Sequence, residues 1–335
     1  MKWSELTIST PQGPKSAIAP LVISASRATD IPAFHAKWFM RRLRAGYCLW
    51  KSAFNAYQQR YVSFEKCQAF VFWSKNPQAF MPCLSEIEEH GYQYYFHYTL
   101  NDYEREGLEP RLPPLAQRIA TFQKLSERIG RHRVIWRFDP VIMGNTLTVE
   151  SVLERIHRLA ERLAPYTEKL VFSFLDMYKK TENALKKLDP LLRPPDAREA
   201  RRLAEGIARM NTGLVSPLAL ATCAEELDAS SLGIAHNKCV DPELLLRLCP
   251  ASPEMRNMCA RPLRREQGRL LPFAAASGGG ALKDAGQRAC CGCVPSKDIG
   301  SYNTCMHLCA YCYANRSKQE VINRINAVND SRDYL

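Results

Sequence analysis

The 335-residue sequence shows no signal peptide and no membrane span. Its first residues, MKWSELTIST, lack a basic start followed by a continuous apolar stretch, and no window approaches the roughly 20 apolar residues a bilayer requires. Nor is the composition that of a disordered chain. Hydrophobic residues make up 46%, enough to bury a large core. Flexible sequence is confined to PFAAASGGGALKDAG (272–286), where three consecutive glycines hold no defined backbone conformation. These absences predict a cytoplasmic protein that is not bound to a membrane. In a reducing compartment its 13 cysteines do not form a disulfide framework.

The cysteines are unevenly placed. Cys48, Cys67 and Cys83 lie among apolar residues and read as small core side chains. Cys290, Cys291, Cys293, Cys305, Cys309 and Cys312 crowd into 23 positions near the C-terminus and call for metal or redox chemistry. The formal charge of +12 favours acidic partners, nucleic acid among them. Much of that excess lies in KKTENALKKLDPLLRPPDAREARRL (179–203), which reads equally as a solvated helical face.

Short apolar and β-branched runs recur at APLVISAS (19–26), AFVFWS (69–74), YQYYFHYTL (92–100), RVIWRF (133–138), KLVFSFL (169–175) and SPLALATC (216–223). Each reads as a buried strand. Amphipathic helical stretches separate most of them, as in 114–130 and 149–165. Strand alternating with helix predicts parallel strands in an α/β barrel or an open sheet. A hairpin is expected at 46–64, inserted into a body spanning 1–245. A loop-rich linker is expected at 246–286 and a cysteine-rich segment at 287–335.

Polar residues follow every strand: Ser26, Arg27 and Asp30 after the first, Lys75 and Asn76 after the second, Asn101 and Asp102 after the third. Arg137 and Asp139 end the fourth, and Cys223 the sixth. In parallel barrels the active site is assembled from those strand ends. Asp, Asn, Ser and Thr also serve there as ordinary turn and cap residues.

The densest motif is TCMHLCAYCYAN (304–315), with cysteines at 305, 309 and 312. A structural zinc site needs four ligands, so this triplet would require His307 or a distant residue. Three thiolates suit a cubane iron-sulfur cluster that leaves one iron open. Here the sequence resembles the radical S-adenosylmethionine superfamily, whose signature is Cys-x3-Cys-x-aromatic-Cys. Tyr311 takes the aromatic place, and the tyrosine after the third cysteine is most similar to the spore photoproduct lyase branch. The resemblance implies that Cys305, Cys309 and Cys312 hold a 4Fe-4S cluster whose unique iron binds S-adenosylmethionine. One electron, from a donor such as flavodoxin or ferredoxin, would then yield a 5'-deoxyadenosyl radical. Ser26, Asn76, Tyr311, Tyr313 and Asn315 are expected at the cofactor. Arg27, Asp30, Lys75, Arg137 and Asp139 are expected to orient its charged groups and the substrate by charge-assisted hydrogen bonds.

The superfamily carries this loop after its first barrel strand, whereas here it comes near the end, with no Gly-Gly-Glu following. A circular permutation reconciles the two positions. In keeping with it, ATDIPAFH (28–35) and FWSKNP (72–77) are similar to stretches that follow later strands in the spore lyase branch. Over nearly its whole length the sequence also resembles the family called domain of unknown function 1848. SRATDIPAFH, FWSKNP, WRFDP, CAEELD, Cys239 and QRACCGCVPSKDIGSYNTCMHLCAYCYAN carry that likeness. It implies the cluster and supplies no substrate. The expected fold is therefore a partial or circularly permuted (β/α) barrel of the radical S-adenosylmethionine type, with a C-terminal iron-sulfur segment.

Cys291 and Cys293, joined by Cys223 and Cys239 from strand ends, would complete a second cluster. His35, His97, His236 and His307 read as structural. Two other functions stay open: a non-catalytic iron-sulfur electron-transfer or nucleic-acid-binding protein, and a hydrolytic barrel with structural zinc.

Overall fold

The computed structural model describes residues 3–53, 55, 57–223, 225–267, 291–327 and 332–335. Twelve strands run in chain order: β1 (Ser4–Thr10), β2 (Gly13–Ala19), β3 (Val22–Ser24), β4 (Tyr47–Lys51), β5 (Gln59–Ser63) and β6 (Ala69–Ser74). They continue with β7 (Gln93–Thr99), β8 (Val134–Val141), β9 (Lys169–Phe174), β10 (Ala219–Thr222), β11 (Ile234–His236) and β12 (Lys297–Asp298). Eight form one sheet in the order β11-β10-β9-β8-β7-β6-β3-β12. Every ladder in it is parallel. This mixed α/β architecture is compatible with a partial α/β barrel.

Alternation along the strands explains its two cores. Phe70, Phe72, Phe96, Trp136 and Phe172 point to one side and pack against the helices. On the helix Val149–Leu163, Val149, Val152, Ile156, Leu159 and Leu163 repeat at three- and four-residue spacing and are buried. Thr148 caps its start by accepting a hydrogen bond from the Ser151 N–H at 3.2 Å. The opposite face carries Val22, Ala69, Val71, Tyr95, Ile135, Val171 and Ala221. Against it pack Leu245 and Leu248 of the helix Pro242–Leu248, and Met255, Met258 and Cys259 of Pro253–Gln267. Within the stretch expected to be loop-rich, residues 246–248 and 253–267 are thus helical. Its aliphatic residues seal this inner face, a role that period alone did not reveal. The Gly-Gly-Gly stretch and Cys290 lie outside the described residues.

The inner face curls round on itself. Tyr95 Oη and His97 Nε2, on central β7, lie 2.6 and 2.7 Å from the Cys239 carbonyl, which follows edge strand β11. Val294, just before the other edge strand β12, donates its N–H to the Val240 carbonyl at 3.1 Å. The two ends of the sheet therefore meet through residues 239–240 and 293–294. Among the described residues no ladder joins β11 to β12.

Within 46–64, β4 and β5 form an antiparallel pair. It joins a second, four-stranded sheet with β1 and β2, in the order β1-β2-β5-β4. Its neighbour, the β1–β2 hairpin, went unforeseen, because Pro11 and Gln12 give only a weak turn signal between SELTIST and GPKSAIA.

The cysteine-rich segment is built into the sheet. Lys297 and Asp298 pair with Ile23 and Ser24. Asp298 accepts hydrogen bonds from Ser26 Oγ at 2.7 Å, the Arg27 N–H at 2.8 Å and the Gly300 N–H at 2.9 Å. A Cβ on Gly300 would lie 2.0 Å from Ser26 Oγ, so only glycine permits this approach. The chain end is tied down as well: Arg42 pairs with Asp333 at 2.6 Å and Trp38 Nε1 donates to the Arg332 carbonyl at 3.1 Å.

Gly300→Ala should therefore cost about 2 kcal/mol through overpacking. Hydrogen exchange should show amides of 297–316 exchanging roughly 30-fold faster, with β7 and β8 unchanged. Unchanged protection of 297–316 would show that the close approach is not needed.

Candidate functional site

The loop holding Cys305, Cys309 and Cys312 follows β12 and lies across the loops after β3 and β6. The Asp30 carboxylate organises that junction. One oxygen caps the short helix Ile31–Phe34, accepting from the Ala33 N–H at 2.9 Å. The other accepts from the Lys75 N–H at 2.8 Å and pairs with His307 Nε2 at 2.7 Å. Burial raises the pKa of Asp30, but the bonds and charge of His307 and the Lys75 N–H outweigh it and hold the carboxyl below its ordinary value. His35 Nε2 meets the Thr304 carbonyl at 2.9 Å, and Tyr313 Oη donates to the Arg27 carbonyl at 2.7 Å. Asn315 Nδ2 donates to the Cys305 carbonyl at 2.9 Å, bracing the loop from its far end. Ser26, Arg27, Asp30, Lys75, Tyr311, Tyr313 and Asn315 are thereby gathered round the three cysteines.

A buried polar network lies under the loop. Lys75 Nζ donates to Glu109 Oε1 at 2.7 Å and to Tyr311 Oη at 2.9 Å. Tyr311 Oη also donates to Glu109. Asn101 Nδ2 reaches Glu109, Tyr311 and the Asp139 carbonyl at 3.0–3.2 Å, and Arg118 lies 3.7 Å from the other Glu109 oxygen. Burial disfavours the Lys75 cation, yet the Glu109 carboxylate opposite it raises its pKa overall. Glu109 escaped the sequence reading because REGLEP carries no periodic or motif signal. His307 was read as merely structural, and its contact with Asp30 spans 277 positions.

Deeper on the inner face, Arg137 donates through Nε and Nη2 to Asp139 Oδ2 at 2.9 and 2.5 Å, and Ser173 Oγ donates to Asp139 Oδ1. Burial raises Asp139, but Arg137 and Ser173 hold it below its usual range. Arg27 lies over the Trp73 ring, 4.9 Å from its centroid. Asn76 caps nothing with its side chain, and its buried Oδ1 makes no hydrogen bond among the described residues. The same is true of buried polar atoms on Thr29, His307 and Asn315, all beside the loop. Their unmet capacity suits a polar ligand bound there.

Burial pushes Cys305 up to about 12 and Cys309 well above its ordinary value. Both are thiols at neutral pH until a metal's charge displaces the proton. Among the described residues no group of three or more His, Cys, Asp or Glu side chains is arranged to hold a single metal ion. Of the His307 ring nitrogens, Nε2 meets Asp30 while Nδ1 has no hydrogen-bond partner among the described residues. Three thiols on one tight loop are soft donors of the kind that metals take.

Cys223, Cys239, Cys291 and Cys293 form a separate group within the curl of the sheet. Cys249 and Cys259 are buried in the same apolar cluster, where the helices seal the inner face. Among the described residues no helix is long and apolar enough to cross a membrane.

Glu109 sits below its ordinary 4.5: burial raises it, and Lys75, Tyr311 and Arg118 more than compensate. A carboxyl whose pKa falls on folding stabilises the protein above its unfolded value, and that stability is lost as the pH drops through its folded value. Resistance to urea should therefore decline below about pH 5 in the parent protein and decline less steeply in Glu109→Gln. At pH 7 that variant, with Lys75 buried and unpaired, should be less stable by about 3 kcal/mol. Parallel pH profiles for the two proteins would refute the assignment.

The sequence model of one family, described as Domain of unknown function (DUF1848), matches residues 22–314, from β3 through the cysteine loop. No curated protein and no solved structure matches the chain.

Proposed function

The chain belongs to the DUF1848 family, and from that premise and the site's geometry we propose an iron-sulfur enzyme of the radical S-adenosylmethionine type, acting on a substrate admitted to the inner face of the sheet. The observation that carries this reading is the docking of the Cys305, Cys309 and Cys312 loop, after a strand next to β3, onto Asp30 and Lys75. In a barrel counted from β12, the loop follows the first strand and β3 is the second, as a circular permutation requires.

Cys305, Cys309 and Cys312 would hold a four-iron cluster. When bound, that cluster supplies the single electron that cleaves S-adenosylmethionine to methionine and a 5'-deoxyadenosyl radical. The chain's own residues have separable tasks. Asp30 is a positioning residue, since its carboxylate is fully engaged in clamping the loop. Lys75 supplies a buried positive charge beside Cys309, and Glu109 and Tyr311 keep its ammonium in one place. Asn76, Asn315 and Thr29 offer unpaired polar atoms to the cofactor. Arg137, oriented by Asp139, and Arg27, stacked on Trp73, present cations along the inner face to an anionic substrate such as a phosphate-bearing molecule or nucleic acid.

Protein reconstituted anaerobically and reduced with dithionite or a flavodoxin system should form 5'-deoxyadenosine from S-adenosylmethionine. Cys312→Ala should lose at least 100-fold of that activity. A reconstituted protein that contains iron and sulfide but forms no 5'-deoxyadenosine overturns the proposal. An electron paramagnetic resonance signal indifferent to S-adenosylmethionine would favour an electron-transfer role instead.

A further inference from the structure

The second group of cysteines is drawn from three distant places. Cys223 ends β10, Cys239 follows β11, and Cys291 and Cys293 precede β12. The Sγ atoms of Cys223 and Cys239 are 3.5 Å apart. Cys293 Sγ accepts from the backbone N–H groups of Cys239 and Val240 at 3.1 and 3.3 Å, and Cys291 is hydrogen-bonded to Cys293. Side-chain donors converge on the same sulfurs: Arg137 Nη1 lies 3.3 Å and Asn237 Nδ2 3.2 Å from Cys239 Sγ. The Arg27 guanidinium interacts electrostatically with Cys239, Cys293 and Cys291.

A neutral thiol is a weak acceptor and draws few donors. Cys67, an ordinary buried cysteine of this protein, shows the contrast, with one bond from its own sulfur to the Ala69 carbonyl. Four N–H donors on two sulfurs, with two arginines alongside, form the surroundings of thiolates that carry charge. Cys291 and Cys239 stand on the two ends of the curled sheet, so a group bound by all four would also join those ends.

We propose that Cys223, Cys239, Cys291 and Cys293 hold a second iron-sulfur cluster, closed by four cysteines on the inner face of the sheet and offset in charge by Arg27 and Arg137. Sulfurs 3.5 Å apart, as Cys223 and Cys239 are, can share one metal, either one iron of a two-iron, two-sulfide cluster or a single zinc ion, and metal analysis tells these apart. A sulfide-bridged cluster spreads its cysteines over several irons. A disulfide between Cys223 and Cys239 would leave Cys291, Cys293 and the converging donors without a purpose. The inference uses none of the three loop cysteines, and it shares Arg27 and Arg137 with the surface proposed above for the substrate.

The test separates the two sites. With Cys305, Cys309 and Cys312 all replaced by Ala, anaerobically purified protein should retain roughly two to four irons per chain and equal acid-labile sulfide. After dithionite its electron paramagnetic resonance signal should not respond to S-adenosylmethionine, because no iron is open. Replacing Cys223, Cys239, Cys291 and Cys293 by Ser should remove that iron while leaving the iron of the other site. Should the quadruple variant fail to fold, Asn237→Ala gives a milder measurement in the triple-alanine background. Loss of one N–H···S bond should move the reduction midpoint to more negative potential. Zinc in place of iron, iron without sulfide, a Cys223–Cys239 disulfide, no metal, or an unmoved potential each overturns the inference.

Discussion

The buried carboxylate of Asp30 joins three stretches of chain that lie far apart in sequence: its own helix start at Ala33, the loop after β6 at Lys75, and the cysteine loop at His307. A charged group is costly to bury unless donors surround it, so the folded state retains Asp30 only with all three partners in place. The consequence for the site is geometric. The cysteine loop cannot leave without stranding a carboxylate, and the Lys75 backbone cannot shift without carrying its ammonium away from Cys309. Asp298, one strand over, repeats the device by accepting from Ser26 and Arg27 on the first loop and from Gly300 on its own. Two acidic residues thus hold the C-terminal segment against the loop after β3.

The same frame relates the two groups of cysteines. The loop cysteines lie at the rim above Lys75, Glu109 and Tyr311, while the other four lie on the inner face beside Arg137 and Arg27. Between them runs a continuous polar path: Cys239 to Arg137, Arg137 to Asp139, the Asp139 carbonyl to Asn101, Asn101 to Tyr311, and Tyr311 to Lys75. Trp73 and His97, stacked 5.0 Å apart, border this path with aromatic surface.

Much of this arrangement could be read in the sequence, because the strands obey alternation. AFVFWS and RVIWRF place Trp73 and Arg137 on the face opposite Phe72 and Trp136, and their strand-end polar residues gather on one rim. What escaped was set by tertiary contacts. β11 and β12 are three and two residues long, too short for any periodic signal, yet they place Cys239 and the cysteine loop. Glu109 lies between strand and helix in a stretch without regular structure, and its importance comes from Lys75, 34 positions away. The helix at 253–267 mixes arginines with a few buried apolar residues and so resembled a loop.

The account stands on the contact between Asp30 and His307, and a double-mutant cycle measures it directly. Urea unfolding of the parent protein, Asp30→Ala, His307→Ala and the double variant should give a coupling energy of at least about 1 kcal/mol, as for directly bonded buried groups. Additivity within about 0.3 kcal/mol would mean that the cysteine loop does not dock on Asp30, and the site described above would not exist.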